Sequence, residues 1–438
     1  MHKNQLSFRL IFFIILYCFA VYTSLQYHKQ FKRFDWKSEI FADKSGYYIY
    51  LPATFFYKFR FDDFPQDMRE KCGNGFRINP VNQKLWNKYS CGVAILVSPF
   101  FIGMHLISQV LGLPEDNGFS QLYYTMTNVA ALFYLVAGLW LLSVFLRRYF
   151  NQLTTYLTIL ILFFGTNLYY YSMIDGLMTH VYSFFLFALM LHQTVRFIDT
   201  GKRKHFIILS VAFSLALLIR PTNILFGTAV LFLEVNSRET FMKRLRLLFK
   251  PLQILLFLVI LFLVFLPQMC YWHYLSGRWF YNGYEHESFI YWKSPKLLEV
   301  WFAPMNGLFI YVPMFIVLVA GILLMIYLKI NGGWYLLLLF LAISYTSASW
   351  HAWSFGCSYG QRPYVEYLAI LSLPLAYMLQ RFISVPKKPA LWLLIPVIVA
   401  FSYYNVRMSH HYQKCFFGTT WDWIRFKQDV VNAGIIPW

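Results

Sequence analysis

The chain has 438 residues, 59% of them hydrophobic, 21% aromatic and only 13% charged. A soluble domain rarely exceeds about half apolar, and several runs here reach the roughly 20 apolar residues that span a bilayer, so the composition excludes an ordinary soluble enzyme. A net charge of +19 would suggest nucleic acid in a soluble chain, but here Lys and Arg collect in short loops between apolar runs and set topology, so no nucleic-acid partner is expected.

The first apolar run, about 8–25, has His2, Lys3 and Arg9 at its start, which sets the N-terminus in the cytoplasm. It lacks a clear small-x-small cleavage site and reads as a retained signal anchor. Residues 26–120 follow as the first extracytoplasmic loop. Its basic character suits an anionic partner near the membrane surface. The stretch FADKSGYYIYLPATFFY, 41–57, organises this loop. Asp43 precedes Gly46 and an aromatic patch of Tyr47, Tyr48, Tyr50, Phe55, Phe56 and Tyr57, interrupted by Pro52.

The next apolar run, 90–112, carries Ser98-Pro99 at its centre and is broken by Gly92, Gly103 and His105. Further runs lie near 121–146, 152–171, 177–195, 205–219, 223–235, 251–272, 304–328, 333–349, 364–382 and 390–404. The loops with Arg147–Arg148, Arg196 to Lys204, Arg238 to Lys250, Lys329, and Arg381 to Lys388 are basic, and they alternate with less basic ones. If every basic loop is cytoplasmic, 90–112 cannot cross; it lies along the outer surface or dips in and returns. That leaves about eleven crossings, with the C-terminus outside. The runs 205–219 and 223–235 are short, and Arg220 reaches the outer side only if the pair spans. The aromatic tail 405–438, with Phe416, Phe417, Trp421 and Trp423, is expected at the outer interface. The whole chain, 1–438, therefore reads as one all-α, polytopic transmembrane bundle with juxtamembrane helices in its first outer loop.

Cys18 and Cys270 fall in apolar runs and read as packing residues. Cys72, Cys91, Cys357 and Cys415 fall in outer segments, where a disulfide can form but its pairing cannot be deduced.

By the same alternation Asp43, Asp175, His180, Arg220, the loop 274–295 and the loop 350–363 all face outward. Neither GxxxxGK[ST] nor a strand–helix GxGxxG is present, so a soluble nucleotide-activated donor is poorly supported. Asp43 is either a solvated loop acid paired with Lys44 or a general base against aromatic rings that can bind a sugar face. Asp175 is either a helix-start acid favoured by the dipole or a second acid of the same cavity, orienting the acceptor or assisting a divalent metal. His180, near the next helix start, is either a packed histidine or a phosphate contact. Arg362, in SYGQRPYVEY beside Tyr359 and Gln361, can grip a phosphate with its fork or pair with Glu366 at i+4. Arg220, before Pro221, is a second candidate for the phosphate. Trp350, His351 and Trp353 suit a sugar face or the membrane interface, and Glu285, His286 and Glu287 lack the HExxH spacing of a zinc hydrolase.

These residues resemble the GT-C superfamily of integral membrane glycosyltransferases, within it the protein O-mannosyltransferase and aminoarabinose-transferase type. Asp43 in ADKSGYYIYLPATF matches the family's catalytic acid of the first outer loop, and 47–57 and 90–112 match its juxtamembrane helices. Asp175, before THVYSFFLF, matches an acid of the second outer loop. The first half resembles the family well, the second half in organisation, with Arg362 in a late outer loop. The resemblance implies inverting transfer of a sugar from a polyprenyl-phosphate donor to a lipid, glycan or protein acceptor at the extracytoplasmic face of a bacterial cytoplasmic membrane. It makes Asp43 the base and gives the phosphate to Arg362 with Arg220 or His180. Asp175 and the tyrosines Tyr47, Tyr48 and Tyr359 would shape the acceptor site, with Gln361 also binding substrate. The chain departs from the family in carrying a lone Asp43 rather than an adjacent acid pair, Asp62 and Asp63 coming too late, and in lacking a large soluble outer domain. No cofactor is therefore assigned, and a divalent metal stays open. The rival readings are a transporter or lipid flippase, which tends to carry internal repeats and polar residues at the bilayer midplane, and a lipid-linked glycan polymerase or ligase.

Overall fold

The computed structural model describes residues 2–60, 63–65, 67–79, 81–113, 116–285, 287–384, 389–412 and 415–436. Asp62, His286 and positions 385–388 of the last basic loop lie outside them. The fold is mostly helical, with almost no sheet. Among the described residues the strands are Arg77–Ile78 and Leu85–Trp86, paired antiparallel in the first loop. Among the described residues five helical segments, Phe8–His28, Gly92–Leu111, Gln121–Leu146, Thr179–Thr200 and Pro251–Ser276, are long and apolar enough to cross a membrane.

Gln121–Leu146 and Thr179–Thr200 form the centre. Small residues set their approach: a Cβ added at Gly138 would come within 3.0 Å of the Phe184 ring, and one at Gly176 within 2.8 Å of Ala131. Close backbones let dispersion contacts accumulate where lipid removes the usual hydrophobic drive. Leu135, Leu139, Leu142, Phe187 and Leu191 are accordingly buried between neighbours. Pro251–Ser276 is the opposite case, with Leu255, Leu258, Phe262 and Leu263 each more than half exposed. An apolar face of this length suits a bilayer rather than water.

Two apolar runs are interrupted. The run 152–171 becomes Gln152–Gly165 and a separate short helix, Leu168–Met173. The run 304–328 becomes Leu308–Tyr311 and Met314–Tyr327, with Pro313, which has no N–H to donate, between them. Arg203–Ile219 ends at Arg220, and a 3-10 turn at Pro221–Phe226 leads into Gly227–Phe232.

Gly92–Leu111 is one continuous helix despite Pro99, so it does not dip and return within itself. Both its flanks are nevertheless tied to one segment. The Tyr50 hydroxyl donates to the Tyr89 carbonyl and the Tyr48 hydroxyl to the Gly118 carbonyl, each at 2.6 Å. Those tyrosines stand on two short helices, Asp43–Tyr48 and Tyr50–Phe55. The stretch expected as one interfacial helix over 47–57 is thus a broken pair, and Tyr47, Tyr48, Tyr50 and Leu51 are buried in protein.

The loop 350–363 is anchored at Asn306. Its amide donates to the Ser354 and Gly356 carbonyls, and its oxygen accepts from Tyr412. Cys357 and Cys415 form a disulfide that ties this loop to the tail, where Trp423–Asn432 buries Val430 and Val431 and exposes Trp423 and Ile424. Cys357→Ser is expected to lower stability by about 2–4 kcal/mol by releasing the closed loop, measured by denaturation of purified protein in detergent, and reduction alone should reproduce the loss.

Candidate active site

Asp43 is held in place by close backbone packing. Ala42 just before it sits at φ 52°, a left-handed conformation that costs a non-glycine residue about 1–3 kcal/mol. The Ala42 N–H donates to the Cys72 carbonyl at 3.0 Å, and the Ser45 hydroxyl lies 2.8 Å from the Ala42 carbonyl and 2.9 Å from that of Cys72. Gly46 and Gly75 allow this contact. A Cβ at Gly46 would fall 2.2 Å from the Tyr89 ring, and one at Gly75 would fall 2.0 Å from the Ala42 carbonyl. The glycine after Asp43 therefore lets Tyr89 lie against the acid's helix.

Asp43 faces a cavity of about 380 Å³. Arg362 enters it from the late loop, with Nη2 3.7 Å from Asp43 Oδ2. The Arg362 side chain is 18% exposed and that of Asp43 44%. Burial pulls the Arg362 guanidinium down, but Asp43, with Tyr171, Tyr47 and Tyr89, more than offsets this and raises it, so it stays charged. Burial, and then the Asp43 charge, push the Tyr89 phenol well above its ordinary value, so it keeps its proton for a hydrogen bond to Asp43. Phe355 lies under the guanidinium at 5.6 Å.

On another wall Arg220 Nη1 lies 2.9 Å from Glu366 Oε1, and His180 Nδ1 lies 2.9 Å from Glu366 Oε2. Glu366 is almost fully buried. Arg362 therefore does not take Glu366 as its i+4 partner; the 3-10 turn Arg362–Tyr364 sends the two side chains to different neighbours. The third side holds Lys88, whose Nζ lies 2.6 Å from Glu287 Oε1, with Tyr284 and Trp350 nearby. Each of these cations is matched by a carboxylate. An incoming anion must compete for the arginines, and the arginines are already oriented.

Asp43, Tyr47, His180, Arg220 and Arg362 thus share one cavity. Asp175, Tyr48, Tyr359 and Gln361 do not line it. Asp175 Oδ1 lies 2.9 Å from Lys44 Nζ, with side chains 10% and 4% exposed. The pairing open to Asp43 thus goes instead to Asp175, because successive residues of a helix point about 100° apart. An acid neutralised in this way is a poor metal ligand, and among the described residues no group of three His, Cys, Asp or Glu is arranged to hold a metal ion. Tyr48 packs on Phe101 and Phe119. Tyr359 stacks on Tyr170, and Gln361 donates to the Asn306 and Trp353 carbonyls. Both hold the loop that carries Arg362.

Lys88, Tyr89, Tyr284 and Glu366 line the cavity without having been singled out from the sequence for it. Lys88 and Tyr89 sit just before an apolar helix, a position that outer-face chemistry shares with interfacial anchoring, so the signal was present but not specific. No protein-family model matches the chain, and no curated protein is significantly similar to it in sequence.

Proposed function

We propose that this chain is a membrane glycosyltransferase of GT-C type, moving a sugar from a polyprenyl-phosphate donor to an acceptor hydroxyl or amine at the extracytoplasmic face. The observation that carries the reading is the meeting of Asp43, Arg362 and Arg220 in one cavity, contributed by three distant parts of the chain. A base and two phosphate-gripping forks are the groups such a transfer needs. The acceptor oxygen or nitrogen attacks the anomeric carbon and gives its proton to the Asp43 carboxylate. The carbon–oxygen bond to phosphate breaks on the opposite face, inverting the centre. The polyprenyl phosphate leaves with the electron pair, its charge met by Arg362 and Arg220. Phosphate drawn to Arg362 also loosens the Asp43 pairing and frees the carboxylate to act.

Two features support the outer location. The loop bearing Arg362 is joined to the tail by Cys357–Cys415, and disulfides persist in oxidising compartments. The anchoring of both flanks of Gly92–Leu111 to one outer segment fits a helix that does not cross. With it set aside, about eleven crossings leave every basic loop cytoplasmic, with the N-terminus inside and the C-terminus outside, as in a bacterial cytoplasmic membrane.

The test is incubation of membranes containing the chain with labelled polyprenyl-phosphate sugars, followed by mass analysis of the products. No label transfer from any donor, or cysteine labelling that puts positions 43 and 362 on opposite faces, would end the proposal. Within it, Arg362→Lys is expected to lower kcat/KM for the lipid-linked donor by about 100-fold, because a point charge replaces a planar fork. A kinetic series on purified enzyme measures this.

A further inference from the structure

We propose that His180, oriented by Glu366, is the residue that receives a substrate hydroxyl in this cavity and discriminates sugars by it. The inference rests on the glycosyl-transfer reading above. His180 stands at the start of Thr179–Thr200, is 1% exposed and lines the cavity. Its ring is held by an edge contact to Tyr171, at 4.7 Å between centroids. One nitrogen, Nδ1, is committed to Glu366. The other, Nε2, is buried and has no hydrogen-bond partner among the described residues. A buried ring nitrogen without a partner, in a residue lining a cavity, calls for a ligand atom.

The partners of Glu366 decide what kind of atom that is. Glu366 Oε1 accepts from Arg220 Nη1 at 2.9 Å, and a carboxylate beside a guanidinium accepts at both oxygens. The hydrogen between Nδ1 and Oε2 therefore sits on Nδ1. Arg220 Nη1 is also 3.5 Å from Nδ1, but its hydrogens only donate. Glu366 and Arg220 already cancel in charge. A second proton on the ring would leave a net positive charge in a buried cluster beside Arg220. Nε2 thus keeps a bare lone pair. A phosphate oxygen, also an acceptor, is the wrong partner for it; a hydroxyl is the right one. The cavity divides its work accordingly, with phosphate at the arginines and a sugar hydroxyl at His180. Glu366 is a positioning residue that sets both Arg220 and the tautomer of His180.

The experiment pairs two variants with deoxy substrates. In His180→Asn the shorter amide keeps a donor near Nδ1 and removes Nε2. In His180→Gln an amide reaches the Nε2 position. Donors and acceptors lacking one hydroxyl each form two arms, which tell whether the hydroxyl belongs to the donor sugar or to the acceptor. Wild type is expected to prefer the parent over one deoxy analogue by about 100-fold or more in kcat/KM, since a site built to bond a hydroxyl rejects its absence. His180→Asn should shrink that preference to about 10-fold or less at that position alone, and His180→Gln should restore part of it. If wild type transfers sugar but His180→Asn leaves every deoxy preference unchanged, the inference falls and the glycosyltransferase reading stands. If wild type transfers from no lipid-linked donor, the function falls and takes the hydroxyl assignment with it. Nitrogen-15 spectra of the purified protein, assigned with His180→Asn, should show the Nδ1–H tautomer. An Nε2–H ring or an imidazolium overturns the proposal independently of activity.

Discussion

Asp43→Asn is expected to lower kcat by about 10²–10⁴-fold, the range associated with loss of a positioned general base. Its thermal midpoint in detergent should fall only modestly, far less than the loss of rate. The Asp43 side chain is 44% exposed and its pairing with Arg362 spans 3.7 Å, so removing the charge leaves only the 18% exposed Arg362 guanidinium, which lines the cavity, without its carboxylate. The asparagine can still accept from Tyr89, which keeps the local geometry. Its amide cannot take a proton from the acceptor, and that separates chemistry from folding. A variant transferring at more than a tenth of the wild-type rate would remove Asp43 as the base. A matching fall in stability would assign the loss to structure instead.

The opposite pattern is expected at Asp175, the partner of the adjacent Lys44. Asp175→Ala should destabilise the protein by about 3–5 kcal/mol, because it leaves the Lys44 ammonium buried without its counter-charge. Lys44 is 3% exposed, and beyond Asp175 it donates to the Ser38 carbonyl, which cannot neutralise it. The double variant Lys44→Met with Asp175→Leu should recover much of that loss, since an apolar pair of similar size needs no desolvation of charge. Unfolding of the two variants in the same detergent measures the difference. Lys44 and Asp175 lie outside the cavity lining, so the double variant should still transfer sugar. A well-folded Asp175→Asn with no transfer would place Asp175 in the chemistry after all.

The two acids illustrate what could be read in advance. Both carried a functional and a structural reading in the sequence, each beside an apolar run. Side-chain direction separates them. On the Asp43–Tyr48 helix, Asp43 turns to Arg362 while Lys44 turns inward to Asp175. Sequence spacing suggested the pairs Asp43–Lys44 and Arg362–Glu366, and both are replaced by partners far along the chain. Local spacing describes neighbours on one element, whereas buried ion pairs here form between elements. His180 shows the same limit: the sequence offered it as a phosphate contact, and a hydroxyl-accepting role appears only with Glu366, which is 186 residues away.

The sequence by itself determined the helical class, the apolar segments and the alternation of basic loops. These follow from composition and from the requirement that backbone polar groups be satisfied within a helix in lipid. It also marked Asp43, Arg362, Arg220, His180 and Tyr47, because charge and aromatic density at the ends of apolar runs are local properties. Tertiary structure alone decided which of these share a cavity, that Asp175 neutralises Lys44, that Cys357 pairs with Cys415, and that the segments flanking Gly92–Leu111 bond to the same pair of short helices. The physical reason is distance along the chain: each of these contacts joins segments whose meeting depends on how many helices pack together, and no short window of residues carries that information.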